Sequence, residues 1–336
     1  MIIAVDAMGG DYAPANPVLG SIAAARDAGV HTILVGDEDA VRQELGKHDA
    51  DGLPIEVVHA SEVIRMDEPT LTALRSKRDS SIRVCTRLVR EGKAHGIVTA
   101  GHTGAAMAIT KIVVGSLPGV KRPALALTVP TPHGKPAVFL DVGANVTCRS
   151  SNLVQFAIMG NIFAEDILQI KRPRVGVLSN GEEATKGNEL VRKTVALLER
   201  TSLNFIGPVE GRDLFNGQCD VIVTDGFTGN AVLKAAESIA ELAFFVLRKE
   251  LLSTWVTKVA ALMMRRSFKR LKQKFDYTEY GGALLLGVKG VSIICHGRSN
   301  PQAIKNAILV AADFYDHRAS ERISDRISEL YAQHIL

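Results

Sequence analysis

Cysteine and aromatic residues are scarce in this chain of 336 residues, which has four Cys, one Trp and 5% aromatic content. Cys85, Cys148, Cys219 and Cys295 lie far apart with no CxxC pair, so the pattern signals neither a disulfide framework nor a structural zinc site. A reducing cytoplasm fits best. Met1-Ile2-Ile3-Ala4-Val5 runs straight into Asp6 without a basic leader or cleavage site. No apolar run reaches the roughly 18 residues of a spanning helix. The net charge is only +4, too small for the whole surface to bind polyanions, so any basic site must be local. Several catalytic signatures are missing too. There is no GxSxG elbow for a nucleophilic serine, no GxGxxG dinucleotide fingerprint and no HExxH or other plausible metal pair among the nine histidines. Neither a metal nor a cofactor is expected. Gly282-Ala283-Leu284-Leu285-Leu286-Gly287-Val288-Lys289 approaches a phosphate loop, but Val288 stands where Lys is required, so a buried turn is expected there.

What is present is alternation. An apolar content of 46% excludes disorder and supplies ample core. Short β-branched runs at residues 2–7, 32–36, 55–59, 96–100, 124–129, 137–142, 174–180, 221–225 and 291–295 read as buried strands. Between them, helical spacing marks residues 17–28, 81–93, 152–168, 187–200 and 304–315. Strand and helix in turn predict an α/β fold, a three-layer, doubly wound, largely parallel sheet with helices on both faces. A single unit over 1–336 is expected, with a subdomain division, if any, near Ser150.

Ligands of such sheets gather where strands end, and the residues there are polar and glycine-rich. Asp6, Gly9, Gly10 and Asp11 follow the first strand, and Gly101, His102, Thr103 and Gly104 follow a middle one. Asp141, Gly143 and Asn145 come next, then Gly181 to Asn188 with Lys186, then Asp225, Thr228, Gly229 and Asn230, and last His296 and Arg298. Two of these turns echo each other, since residues 97–106 and 222–231 share the frame IVTxGxTGxA. In each, Gly permits close backbone approach and Thr can cap the first helical turn, so two turns could offer amides to one anion. Strand-to-helix turns favour Gly and Thr in any case. Glycine-rich backbone reinforced by Lys186 and Arg298 makes an anion site of phosphate size. Asp11 and Glu183 are more simply caps or ion-pair partners, and His102 and His296 are as readily structural as catalytic.

One stretch departs from the pattern. Residues 251–275, LLSTWVTKVAALMMRRSFKRLKQKF, hold Lys258, Arg265, Arg266, Lys269, Arg270, Lys272 and Lys274 and no acidic residue. Leu251, Leu252, Trp255, Val256, Val259, Leu262, Met263 and Met264 cluster just before most of these cations. An amphipathic helical segment of about residues 240–276 that lies on an anionic membrane accounts for both features. The alternatives are a dimer interface, a face for an acidic protein, and a nucleic-acid patch. The last ranks lowest, because only Phe268 and Phe275 could stack among the charges.

Taken together, MIIAVDAMGGDYAP, Ile64-Arg65-Met66-Asp67-Glu68-Pro69 leading to Arg75-Ser76-Lys77-Arg78-Asp79-Ser80-Ser81, GHTGA, DVGAN, EATKGNE and DGFTGN closely resemble the PlsX family. These are the bacterial acyl-carrier-protein:phosphate acyltransferases of phospholipid synthesis, and the likeness covers nearly the whole chain in family order. The resemblance implies transfer of a long-chain acyl group from acyl carrier protein to inorganic phosphate. The acyl phosphate would feed a membrane acylphosphate:glycerol-3-phosphate acyltransferase. It also implies a fold similar to isocitrate and isopropylmalate dehydrogenases and to phosphotransacetylase, a homodimer, and peripheral association with the inner face of the membrane. By the same resemblance Lys186 and Asn230 are catalytic. A short-chain phosphate acyltransferase acting on acyl-coenzyme A, and a non-catalytic membrane scaffold for the carrier, are the other readings.

Overall fold

The computed structural model describes residues 1–132, 135–183, 185–268 and 281–336. Its sheet has eleven strands among the described residues, in the order β3-β2-β1-β4-β11-β10-β5-β6-β9-β7-β8. They are β1 (Ile2–Asp6), β2 (His31–Gly36), β3 (Ile55–His59), β4 (Gly96–Thr99), β5 (Ala124–Val129), β6 (Ala137–Leu140), β7 (Arg174–Leu178), β8 (Asn204–Val209), β9 (Val221–Val223), β10 (Ala283–Leu286) and β11 (Val291–Ile294). Every residue of β4, β5, β6, β9 and β11 is buried, as expected of strands covered on both faces. Successive side chains go to opposite layers: Ile3 and Val5 join one core cluster and Ala4 the other.

Helices cover both faces. α1 (Ala15–Ala28), α6 (Ser150–Asp166), α11 (Pro301–Asp316) and α12 (Ala319–Ala332) contribute to the first cluster. α4 (Ser81–Arg90) and α5 (Thr103–Val113) contribute to the second. Phe156, Ile158 and Met159 of α6 are almost fully enclosed, because that helix is wedged between β6 and β9 on one side and α12 on the other. The shorter α2 (Glu38–Leu45), α3 (Thr70–Ser76), α7 (Glu189–Leu198) and α8 (Asp213–Asn216) complete the layers.

The three-layer α/β expectation holds, and most strand pairs are parallel. The sheet nevertheless has two opposed halves. β3, β2, β1, β4 and β11 run one way, and β6, β9, β7 and β8 run the other. Antiparallel β10 and β5 join them. Two strands were not anticipated. β10 occupies the stretch read as a buried turn; Leu284, Leu285 and Leu286 pair with β5, and the flanking glycines at positive φ, Gly282 and Gly287, end the strand on both sides. β8 hides behind Gly207 and Pro208, which an edge strand tolerates beside a bulge. The sheet crosses the position of the expected division without a break, and α6 begins there, at Ser150.

Beyond the sheet lie α9 (Gly226–Leu251) and α10 (Trp255–Met263). Only Gly226 and Gly229 of α9 are buried, and α10 has no buried residue. Thr254 caps α10, its Oγ1 accepting from the Thr257 amide at 3.2 Å.

Candidate active site

The polar turns sort into two clusters according to which half of the sheet carries them. In the first, β1, β4 and β11 end side by side. The Asp6 carboxylate is buried and accepts from Thr99 Oγ1 at 2.7 Å and the Met8 amide at 3.2 Å, and Thr99 Oγ1 accepts from the Gly101 amide at 3.0 Å. Burial pushes the Asp6 pKa up against those donors. Gly9 fits because a Cβ there would lie 2.7 Å from the Gly101 nitrogen. The cavity these residues enclose with Ser81 and His102 is about 10 Å³, room for one water and too small for phosphate. His102 is the N-cap of α5, its Nδ1 accepting from Ala105 at 3.2 Å; the cap anticipated from threonine is supplied one residue earlier. The amides of Thr103 and Gly104 have no acceptor among the described residues. Gly10, at φ +100°, fits under Gly297, whose carbonyl accepts from the Asp11 amide at 2.8 Å. His296 Nδ1 accepts from the Arg298 amide, and the exposed Arg298 guanidinium faces Asp11 at 3.8 Å, so Asp11 is an ion-pair partner.

In the second cluster β6, β9 and β7 end side by side, and the loops after them carry Asp141, Asp225 and Lys186. Asp141 is fully buried. Its Oδ1 accepts from the amides of Leu125, Gly143 and Ala144, and its Oδ2 from the amide and side chain of Asn145, at 2.7–3.2 Å. Burial raises its pKa despite those five donors. Asn145 spends the same Nδ2 on the Pro123 carbonyl at 2.7 Å. Asp141 and Asn145 therefore hold the loop and have little capacity left for a ligand.

Asp225 caps α9, accepting from Phe227 and Thr228 amides and from Thr228 Oγ1. The Gly226 amide goes to the Asn145 carbonyl at 2.8 Å. Every amide from Gly226 to Gly229 thus has a protein acceptor, so the start of α9 offers no free backbone donors to an anion. The two turns also end oppositely directed strands, and no hydrogen bond among the described residues joins them. Gly229 is obligatory by contact: a Cβ there would meet the Asp141 carbonyl oxygen at 1.9 Å.

The two residues expected to be catalytic are free, as are the exposed Glu183 and Thr185 on the same loop as Lys186, and Ser179 Oγ is buried without a partner among the described residues. Asn230 is exposed beside Gly143, and Lys186 is exposed after Gly181; neither side chain has a hydrogen bond or ion pair among the described residues. Asn230 lies in the first turn of α9, which follows β9, and Lys186 on the loop after the neighbouring strand β7. Gly187, at φ +83°, turns the chain after Lys186, and its amide is held by Asn180 Oδ1 at 2.9 Å. Val146 and Phe227, neither of them a site residue expected from the sequence, stand about two-thirds exposed, Phe227 one turn before Asn230 in α9.

The family model described as fatty acid synthesis protein matches residues 1–322. The chain belongs to this family. The phosphate acyltransferase of Trichlorobacter lovleyi is 52% identical over 331 residues, 98% of this chain and 96% of that one. The phosphate acyltransferase of Geobacter sulfurreducens is 50% identical over 97% of this chain and 94% of its own. Among solved structures, a phosphotransacetylase from Streptococcus pyogenes superposes with a TM-score of 0.63 over 94% of both chains, at 18% identity. A branched-chain phosphotransacylase from Enterococcus faecalis V583 gives 0.58 over 93% of this chain and 98% of that one, at 15% identity. At those identities the likeness is one of fold. Relatives named phosphate acyltransferase, about half identical over nearly the whole chain, make it a transferase.

The cysteines of this family member are poor nucleophiles. Burial pushes Cys219 and Cys295 up to about 12, and burial together with Asp141 pushes the half-buried Cys148 up to about 11. At neutral pH all three remain thiols, not the thiolates that attack. The residues expected at a membrane divide between the end of α9 and α10: Leu252, Trp255, Val256, Val259, Leu262 and Met263 are exposed, as are Arg265 and Arg266, while Leu251 is half-buried. Lys269 and Arg270 lie outside the described residues. No helix among the described residues is long and apolar enough to cross a membrane.

Proposed function

We propose that this chain transfers a long-chain acyl group from acyl carrier protein to inorganic phosphate, with Lys186 and Asn230 as the catalytic pair. The observation that carries this reading is the pair itself. In a cluster where Asp141, Asn145 and Asp225 are committed to the fold, Lys186 and Asn230 are exposed and unengaged, in a family whose relatives are named phosphate acyltransferases.

The chemistry asks little more. Phosphate is nucleophilic at neutral pH and a thioester is already activated, so positioning and charge stabilisation are the main tasks. A phosphate oxygen attacks the thioester carbonyl carbon, and the π electrons move onto the carbonyl oxygen. As that oxyanion collapses the C–S bond breaks, leaving acyl phosphate and a carrier thiolate that takes a proton from water. Lys186 attracts the phosphate charge, and the Asn230 amide donates to the oxyanion. No covalent enzyme intermediate is needed, in keeping with the protonated cysteines.

The phosphate then lies against Lys186, supported by loop backbone near Gly181. The other expected phosphate contacts, Asp6, Gly9, Gly10, Gly101, His102, Thr103, Gly104, His296 and Arg298, belong to the opposite half of the sheet, where Thr103 and Gly104 keep free amides. The exposed apolar and cationic residues of α9 and α10 support two further parts of the reading. They give the protein a surface for a second copy and for the inner face of an anionic membrane, each cation near such a surface adding about 1 kcal/mol. A membrane acylphosphate:glycerol-3-phosphate acyltransferase would consume the product there.

The test is phosphate-dependent release of free carrier from palmitoyl-carrier protein, compared with release from acetyl-coenzyme A. Rapid release from the first supports the reading. Turnover of acetyl-coenzyme A alone replaces it with a short-chain activity, and no turnover of either leaves a scaffold.

A further inference from the structure

We infer that Val146 and Phe227 form the seat of the acyl chain, the apolar contact by which this enzyme selects long-chain over short-chain donors. The inference rests on the activity proposed above and adds its specificity determinant.

Both side chains are large, apolar and exposed, 65% for Val146 and 66% for Phe227. One backbone hydrogen bond ties the two segments that carry them. The Gly226 amide donates to the Asn145 carbonyl at 2.8 Å, and Val146 and Phe227 are the residues that follow each member of that bonded pair, one in the loop after β6 and one in the first turn of α9. Neither backbone is free to swing away. The Phe227 amide is held by Asp225 Oδ1 at 3.1 Å, and Asn145 is held by Asp141 and Pro123. The placement relative to the catalytic amide is fixed as well: Phe227 and Asn230 are three residues apart in α9, about 60° around the axis and on one face.

A thioester carbonyl that receives a hydrogen bond from Asn230 therefore has its alkyl chain leaving beside an exposed ring and a branched aliphatic group. The family's description as a fatty acid synthesis protein supplies an occupant of matching chemistry, a saturated hydrocarbon chain. Small acyl groups would end before reaching the patch. Further along the same helix, Ile239, Leu242 and Val246 are also exposed.

The experiment measures kcat/KM for acyl phosphate formation from hexadecanoyl- and butanoyl-carrier protein, using the full chain and its Phe227→Ala, Phe227→Leu and Val146→Ser variants. Phe227→Ala should lower the hexadecanoyl-to-butanoyl ratio about tenfold, chiefly through the hexadecanoyl KM. Val146→Ser should lower it less, Phe227→Leu should restore most of it, and butanoyl transfer should stay unchanged throughout. An equal fall for both donors overturns the assignment. If light scattering shows a lower molar mass alongside that equal fall, the patch is a contact between copies instead. If the wild-type protein moves neither fatty acyl group to phosphate, the failure belongs to the proposed activity and not to the seat.

Discussion

The turn after β4 and the turn after β9 share seven of the ten positions of the frame IVTxGxTGxA, and the helices they launch begin at different places. After β9 the residue following the threonine is Asp225, whose carboxylate takes two amides, so α9 starts at Gly226. After β4 the equivalent residue is Ala100, which has no acceptor, and the start moves on to Thr103 with His102 as cap. One side-chain oxygen therefore decides whether a turn closes on itself or leaves amides open. The closed turn gains a rigid platform from which Asn230 projects; the open turn keeps the free amides of Thr103 and Gly104.

The sharpest way to break the comparison is at the glycines. Gly229→Ala drives a methyl into the Asp141 carbonyl and should cost more than about 3 kcal/mol. Gly104→Ala meets only the movable Thr70 hydroxyl at 2.9 Å and the His102 ring at 3.3 Å, and should cost under about 1 kcal/mol. Urea denaturation compares them, and equal losses would contradict the contact geometry.

Next comes catalysis. Lys186→Ala and Asn230→Ala should each lower turnover 10²–10³-fold, about 2.7–4 kcal/mol of transition-state stabilisation, with unchanged circular dichroism and melting. Near-normal acyl phosphate formation by both variants would remove the catalytic pair.

The caps give a smaller contrast. Asp225→Ala loses three accepted hydrogen bonds and should cost about 2 kcal/mol, whereas His102→Ala loses one and should cost about 0.5 kcal/mol. A larger loss of stability for His102→Ala than for Asp225→Ala would reverse the account of the two turns.

The smallest effect concerns pH. Asp220, immediately before β9 and beside the first residue of β7, is opposed by burial, yet its hydrogen bonds from Arg174 hold its carboxyl below the ordinary 3.8. A depressed folded pKa contributes stability above the unfolded value and loses it as pH falls through the folded one. The melting difference between wild type and Asp220→Asn should thus be full above about pH 5 and close below about pH 4, at most about 1 kcal/mol given the exposed arginine. Asp6 and Asp141 act with the opposite sign, since their raised values mean that acidification relieves a burial penalty. A gap that widens on acidification would show that the Arg174 contact does not hold Asp220 ionised.

Much of the fold was legible because the strands of this sheet are short β-branched runs that stop at Gly, Asp or Asn. The exceptions are instructive. β10 is flanked by glycines and resembles a loop until its antiparallel partners are known, and β8 carries a Pro that only an edge position admits. The site was legible as a set of residue types but not as a division of labour. Asp141 and Asn145 look like ligands in the sequence, and the structure spends them on amides from Leu125 and on the Pro123 carbonyl. Phe227 looked like an incidental residue in a glycine turn.

By itself, the order of residues determined the alternation of strand and helix, the glycine turns at strand ends and the cationic, apolar stretch after α9, because each follows from local periodicity and composition. Strand direction, and with it the separation of the two turns, was decided only by the tertiary structure: β10 and β5 reverse the sheet through hydrogen bonds between residues some 160 positions apart. So was the freedom of Lys186 and Asn230, since a polar side chain is available for chemistry only when the packed fold has supplied every neighbouring donor and acceptor with another partner.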